Sequence, residues 1–96
     1  MKNIKLYIGC NVHGVPTHTL DSVCELLAQT EIENATVEQA YGFYKGELEK
    51  TVTVTICDID EKLEKYILFD VVYLLRSKLE QECIGIEKYE SNFTWE

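Results

Sequence analysis

Apolar and polar positions alternate most cleanly from Thr51 to Ile56, where Thr51, Thr53 and Thr55 interleave with Val52, Val54 and Ile56. A period of two is the pattern of a strand with one wet and one buried face. Lys45-Gly46-Glu47 stands before it as a turn, because Gly46 can take the positive φ that a tight connection needs. A long hairpin with strands over 35–44 and 48–57 is therefore expected. Near the start, Ile4, Leu6, Ile8 and Cys10 face one way and Lys5, Tyr7 and Gly9 the other, which makes a first strand ending near Asn11. Residues 9–19 hold both histidines, two glycines and the only proline, and read as a loop. Leu20, Val23, Cys24 and Leu27 then repeat at helical spacing behind Thr19, a suitable N-cap, with the helix expected to end near Thr30. Asp58 and Glu61 have the spacing of a capping box, opening a second helix that runs to about Glu80. Residues 83–89 alternate again as a last strand, with Ile84 and Ile86 on the same side.

The order strand, helix, strand, strand, helix, strand defines an α+β fold of the ferredoxin-like βαββαβ type. Right-handed crossovers place the first and third strands at the centre of a four-stranded antiparallel sheet, with two helices on one face. The opposite face would carry Tyr7, Thr51, Thr53, Thr55 and Cys57. The second helix is apolar nearly all round. Leu63, Ile67, Val71, Leu74 and Leu75 form a core stripe, while Leu68, Phe69, Val72 and Tyr73 form a second one that calls for another neighbour. The reading is one domain over residues 1–90 and an aromatic tail over 91–96, with Leu68, Phe69, Val72, Tyr73, Phe93 and Trp95 as the interface of a homo-oligomer.

With 96 residues and 46% apolar composition, one core without staples is expected. Cys10, Cys24, Cys57 and Cys83 are widely separated and form no Cys-x-x-Cys pair, so buried free thiols are expected rather than a zinc site or a disulfide framework. The formal charge of −8 argues against direct nucleic-acid binding, which relies on clustered Lys and Arg. Apolar segments are too short or too interrupted by charge to span a bilayer, and the first residues lack the apolar run of a signal peptide. A cytoplasmic location with no membrane partner is expected.

No catalytic motif stands out, so no catalytic residue is assigned and the chain leans away from an enzyme. Cys10, His13 and His18 resemble a metal-ligand set only in a weak spacing, and no metal or cofactor is expected. The loop from Asn11 to Thr19 leads into a helix N-terminus, where unpaired N–H groups favour an anion and His13 and His18 add donors. Tyr41, Phe43 and Tyr44 have the shape to stack on a base, and Asn11, Glu49 and Gln81 to read its polar edge. Glu82 follows Gln81 at a helix-to-strand junction, where orphan backbone groups need partners. The expected ligand-binding set is Asn11, His13, His18, Tyr41, Tyr44, Glu49, Gln81 and Glu82, around a small nucleotide-like ligand.

Tyr7-Ile8-Gly9-Cys10-Asn11, Ala35-Thr36-Val37, Gly42-Phe43-Tyr44 with Glu49, and residues 79–84 resemble a family of short, functionally unassigned ferredoxin-like proteins of bacteria and their phages. Cys83 stands where a Ser is common in that family, and the aromatic tail is a departure from it. The resemblance implies a phage connection and, for a phage protein, action in the host cytoplasm. Together these readings lead to an expected anti-defence protein that sequesters a nucleotide-derived immune signal without chemistry, in a pocket at a subunit boundary. The alternative is an acidic inhibitor of a basic nucleic-acid-handling host protein, of the anti-CRISPR or anti-restriction type. It would show Glu31, Glu33, Glu38, Glu47, Glu49, Glu61 and Glu64 as a continuous acidic face with no pocket. An enzyme on a dimeric scaffold of this kind is a third reading.

Overall fold

A computed structural model describes residues 1–92, 94 and 96 and shows an α+β arrangement. Four long strands, β1 (Lys2–Gly9), β4 (Thr36–Tyr44), β5 (Glu47–Ile56) and β6 (Gly85–Glu90), form one antiparallel sheet in the order β4-β5-β1-β6. The first and third long strands thus lie at the centre, as right-handed crossovers demand. In register, Ile4, Leu6 and Ile8 of β1 stand beside Ile56, Val54 and Val52 of β5, and all six are buried. The period-two pattern has put this side of β1 and of residues 52–56 of β5 into the core, while Leu48 and Lys50 on the same side of β5 stay exposed.

Two helical segments cover that side. Helix α1 (Leu20–Leu27) begins at Thr19, whose hydroxyl accepts from the Ser22 N–H at 3.3 Å while the Ser22 hydroxyl accepts from the Thr19 N–H at 3.2 Å. This reciprocal cap satisfies two otherwise orphan donors. The helix stops at Leu27, short of the expected Thr30. Ala28, Gln29 and Thr30 turn back instead, and the Thr30 hydroxyl donates to the Leu27 carbonyl at 2.7 Å.

The second helix is capped two residues later than the expected box. Asp60, not Asp58, is its N-cap and accepts from the Leu63 N–H at 2.7 Å, while Asp58 takes a positive φ of 57° in the approach. Helix α2 (Glu61–Tyr66) passes through a π-helical turn (Ile67–Val71) into α3 (Val72–Lys78), and the Val72 N–H reaches back five residues to the Ile67 carbonyl. The wide turn has a packing reason. Ile67, Val71, Leu75 and Leu79 are all buried at steps of four, which in a regular α-helix would drift about 120° around the axis over three steps. One wider turn offsets part of that drift and keeps the four on the sheet. Of the second apolar stripe, Leu68 and Val72 pack against the core, whereas Phe69 and Tyr73 remain 73% and 62% exposed. Phe93 and Trp95, which complete the expected interface, lie outside the described residues.

The side of the sheet without helices carries Lys5, Tyr7 and Gly9 of β1 beside Thr55, Thr53 and Thr51 of β5. Thr53 is buried and Tyr7 donates its hydroxyl to Glu87 Oε1 at 2.8 Å. That bond, then burial and the Glu87 charge, hold the phenol above its ordinary pKa. At the base of the sheet Asn3 is fully buried, donating to Ser91 Oγ at 2.5 Å and accepting from the Asp58 N–H at 3.1 Å. Among the four cysteines the expectation of burial holds for Cys10; Cys24 and Cys57 are half-buried and Cys83 is exposed. The helix-to-strand junction explains Cys83, since β6 begins two residues later than expected, at Gly85.

Candidate functional site

The segment read as a loop is a miniature hairpin. β2 (Asn11–Val12) pairs with β3 (Val15–Pro16), and His13 and Gly14 turn between them with φ of 50° and 78°. It is tied to the main sheet at Cys10, whose N–H donates to the Lys50 carbonyl at 3.2 Å and whose carbonyl accepts from Thr17 and His18 N–H at 3.0 and 2.9 Å. Asn11 and His13 are thereby fixed beyond the end of β1.

The facing wall is the end of α3. The Gln81 N–H donates to the Arg76 carbonyl at 2.9 Å and the Glu80 N–H to the Ser77 carbonyl at 3.4 Å, the paired closure of a Schellman motif. Its left-handed position is filled by Glu80, at φ 53°, where glycine is usual. A non-glycine residue held there carries strain that the surrounding bonds must outweigh. The reversal throws Gln81 toward the end of β1. Gln81 Nε2 donates to the Asn11 carbonyl and to the Leu79 carbonyl, each at 3.0 Å, and joins the two walls. Gly9 is needed beneath it: a Cβ there would stand 2.9 Å from Gln81 Oε1.

Between the walls lies a cleft of about 250 Å³ lined by Asn11, His13, Glu80, Gln81, Glu82 and Cys83. It brings together four of the expected ligand-binding residues. The other four do not line it. His18 contributes its backbone next to Cys10, and its Nε2 is buried without a hydrogen-bond partner among the described residues. Tyr41, Tyr44 and Glu49 belong to the part of the β4–β5 hairpin that runs past the helices. Tyr41 pairs with Lys50 and Tyr44 with Glu47, at odd and even positions of β4, so the two rings occupy opposite faces of the hairpin. They are 61% and 67% exposed and cannot grip one ligand between them in a single chain. Burial pushes the Cys10 thiol up and keeps it protonated, consistent with a core role.

A larger groove of about 720 Å³ went unread in the sequence. It lies toward the other end of the sheet, where Lys5, Thr36, Glu38, Thr55, Cys57 and Tyr89 line it beneath the 31–35 connection. Volume alone does not make it the site. Glu31, Glu33, Glu38 and Asp58 face a single lysine, Lys5, in this groove. Among the described residues no three His, Cys, Asp or Glu side chains are grouped to hold a metal ion, and no helix is long and apolar enough to cross a membrane.

No family model matches the chain, and no curated protein matches it. Solved structures do. A phage SAM lyase in complex with S-methyl-5'-thioadenosine superposes with a TM-score of 0.74 at 24% identity, over 93% of this chain and 80% of that one. A phage SAM lyase in its apo state gives 0.75 at 22% identity, over 92% of this chain and 78% of that one. At this identity the likeness is one of fold.

These neighbours correct the expected function. The fold is carried by enzymes, lyases of SAM, which overturns the expectation of a protein that sequesters a nucleotide-derived signal without chemistry. The continuous, pocket-free acidic face expected for the acidic-inhibitor alternative is not what the structure shows, since Glu31, Glu33 and Glu38 line a groove. Glu61 and Glu64, for their part, are paired with Lys65 and Lys2.

Proposed function

We propose that this chain is a small phage-type lyase acting on S-adenosylmethionine, built on a ferredoxin-like domain over residues 1–90, with its site at the cleft of Asn11, His13, Gln81 and Glu82. The observation that carries the reading is the match over nearly the whole chain to a SAM lyase seen with S-methyl-5'-thioadenosine. The strand order β4-β5-β1-β6, with a helix after the first and the third long strands, supports the topological part. Anti-defence action in a host cytoplasm follows as part of the same proposal.

The chemistry suits the residues present. S-methyl-5'-thioadenosine is what remains of S-adenosylmethionine when the bond from sulfur to the methionyl Cγ breaks and both electrons go to sulfur. The sulfonium becomes a neutral thioether, so the leaving group arrives already activated. The four-carbon fragment is neutralised either by closure of its own carboxylate oxygen onto Cγ or by loss of a Cβ proton to a carboxylate such as Glu82. The protein must hold the methionyl chain and favour loss of the positive charge from sulfur, work for oriented polar groups rather than for a nucleophile. A protein of formal charge −8 also attracts a substrate whose sulfonium and ammonium outweigh its carboxylate.

Self-association belongs to the proposal. Tyr41, Phe43, Tyr44 and Leu48 at the hairpin end, with Phe69 and Tyr73 on the helix, are large apolar side chains left in solvent. A second copy seated there would take these side chains out of water. The test is turnover of S-adenosylmethionine, followed by recovery of S-methyl-5'-thioadenosine. The wild type is expected to form it, and Glu82→Gln and Asn11→Ala to lower the rate at least tenfold without loss of fold. Full activity in both variants would place the site elsewhere.

A further inference from the structure

Gln81 has one polar atom left over. Both of its amide protons are committed, to the Asn11 and Leu79 carbonyls, and a flipped amide would instead set oxygen against oxygen at 3.0 Å on both. The orientation is therefore fixed by repulsion as well as by bonding. Its Oε1 lies over Gly9, on the side of the sheet free of helices, and accepts no hydrogen bond among the described residues. The backbone holds this arrangement from both sides: the Schellman closure at Glu80 aims the side chain, and the missing Cβ of Gly9 leaves room for the oxygen.

The geometry points to Gln81 as a specificity-determining residue: its locked amide offers only a carbonyl oxygen, so this edge of the cleft selects the positively charged part of the substrate. The inference rests on the reading of the cleft as a site for S-adenosylmethionine. An acceptor that cannot turn to donate repels a carboxylate or phosphate and attracts a cation. The cation is the sulfonium or the α-ammonium, which share this chemistry and are separated by the test below. Gly9 acts through Gln81 and is a positioning residue.

Three stable ligands read the selection by calorimetry: sinefungin, whose amine replaces the sulfonium; S-adenosylhomocysteine, a neutral thioether that keeps the ammonium; and S-methyl-5'-thioadenosine, which has neither. A hydrogen bond to a charged group favours the cationic ligand by about tenfold to hundredfold. Wild type is expected to prefer sinefungin to S-adenosylhomocysteine by that factor if the sulfonium is the partner. If it is the ammonium, S-adenosylhomocysteine is preferred to S-methyl-5'-thioadenosine instead. Gln81→Met and Gly9→Ala should each collapse the same ratio toward one while leaving S-methyl-5'-thioadenosine affinity within about threefold. Gly9→Ala touches no ligand, and Gln81→Met carries the test alone if Gly9→Ala does not fold. Unchanged ratios in folded variants would overturn the inference.

A separate arm needs no ligand. The Gln81 side-chain amide protons should exchange slowly in wild type and rapidly in Gly9→Ala. Rapid exchange in wild type would refute the lock itself, whereas slow exchange with no affinity for any of the three ligands would remove the S-adenosylmethionine reading and its selection together.

Discussion

Single residues decide how the ends of β1 are held. Asn3 is buried and satisfied from both sides, by Ser91 and by the Asp58 N–H, so Asn3→Ala would remove both bonds and leave a gap at the base of the sheet. A loss of about 1–3 kcal/mol is expected, read from urea unfolding. Tyr7 makes a pH prediction. Its folded pKa is raised, first by the bond to Glu87, so the neutral phenol is the form the native state favours. The stability it contributes is present in full below the unfolded value near 10 and is lost as pH rises through the folded value. Tyr7→Phe should therefore flatten the alkaline limb of the stability curve, and an unchanged limb would show that the bond contributes nothing. At this scale the sequence was partly legible. Asn11 and His13 read as part of the loop before the first helix and Gln81 and Glu82 as a helix-to-strand junction, and the structure sets all four around one cleft. Tyr41, Tyr44 and Glu49 do not line that cleft within one chain, because the hairpin carries them past the helices, and a strand pattern does not say how far a hairpin overhangs. The role of Gly9 was invisible, because it depends on a side chain 72 positions away in the chain.

Elements follow the period of their apolar residues more faithfully than their exact ends. The hairpin is the clearest case: Lys45 and Gly46 both have positive φ, 50° and 82°, as a two-residue type I′ connection requires. Gly46→Val should cost about 1–2 kcal/mol by forcing a β-branched residue into the left-handed region. A smaller loss on chemical unfolding would mean that the turn relaxes to another type. The second helix shows what periodicity alone does not carry. Its two apolar stripes were legible, but the wide turn at Ile67–Val71 was not, since a π-turn answers to the sheet beneath it rather than to local propensity. Its N-cap was misplaced by two residues because two aspartates, Asp58 and Asp60, compete and the tertiary approach selects the second. Asp60→Ala is expected to cost about 1 kcal/mol, and Asp58→Ala less.

For the whole molecule, the arrangement of strands and helices was readable from alternation, while the chemistry was not. Enzymes that deprotonate or attack a poor electrophile leave triads and paired acids in a sequence. The lyase proposed above would act on a leaving group that is already charged, so ordinary carboxylates and one oriented amide would suffice for it, and such residues look like surface. The exposed aromatics make a prediction at this scale. Replacing Phe69 and Tyr73 together by Ser should shift the protein toward monomer in sedimentation, and an unaltered mass would exclude the helix face from the interface. The most direct test of the proposed lyase activity is to follow S-adenosylmethionine carrying a ¹³C-labelled methyl group by NMR in the presence of the purified protein. The expected result is conversion of the sulfonium methyl signal into the thioether methyl signal of S-methyl-5'-thioadenosine, with no label lost. Persistence of the sulfonium signal with folded protein at high concentration, or appearance of the label on any other molecule, would contradict it.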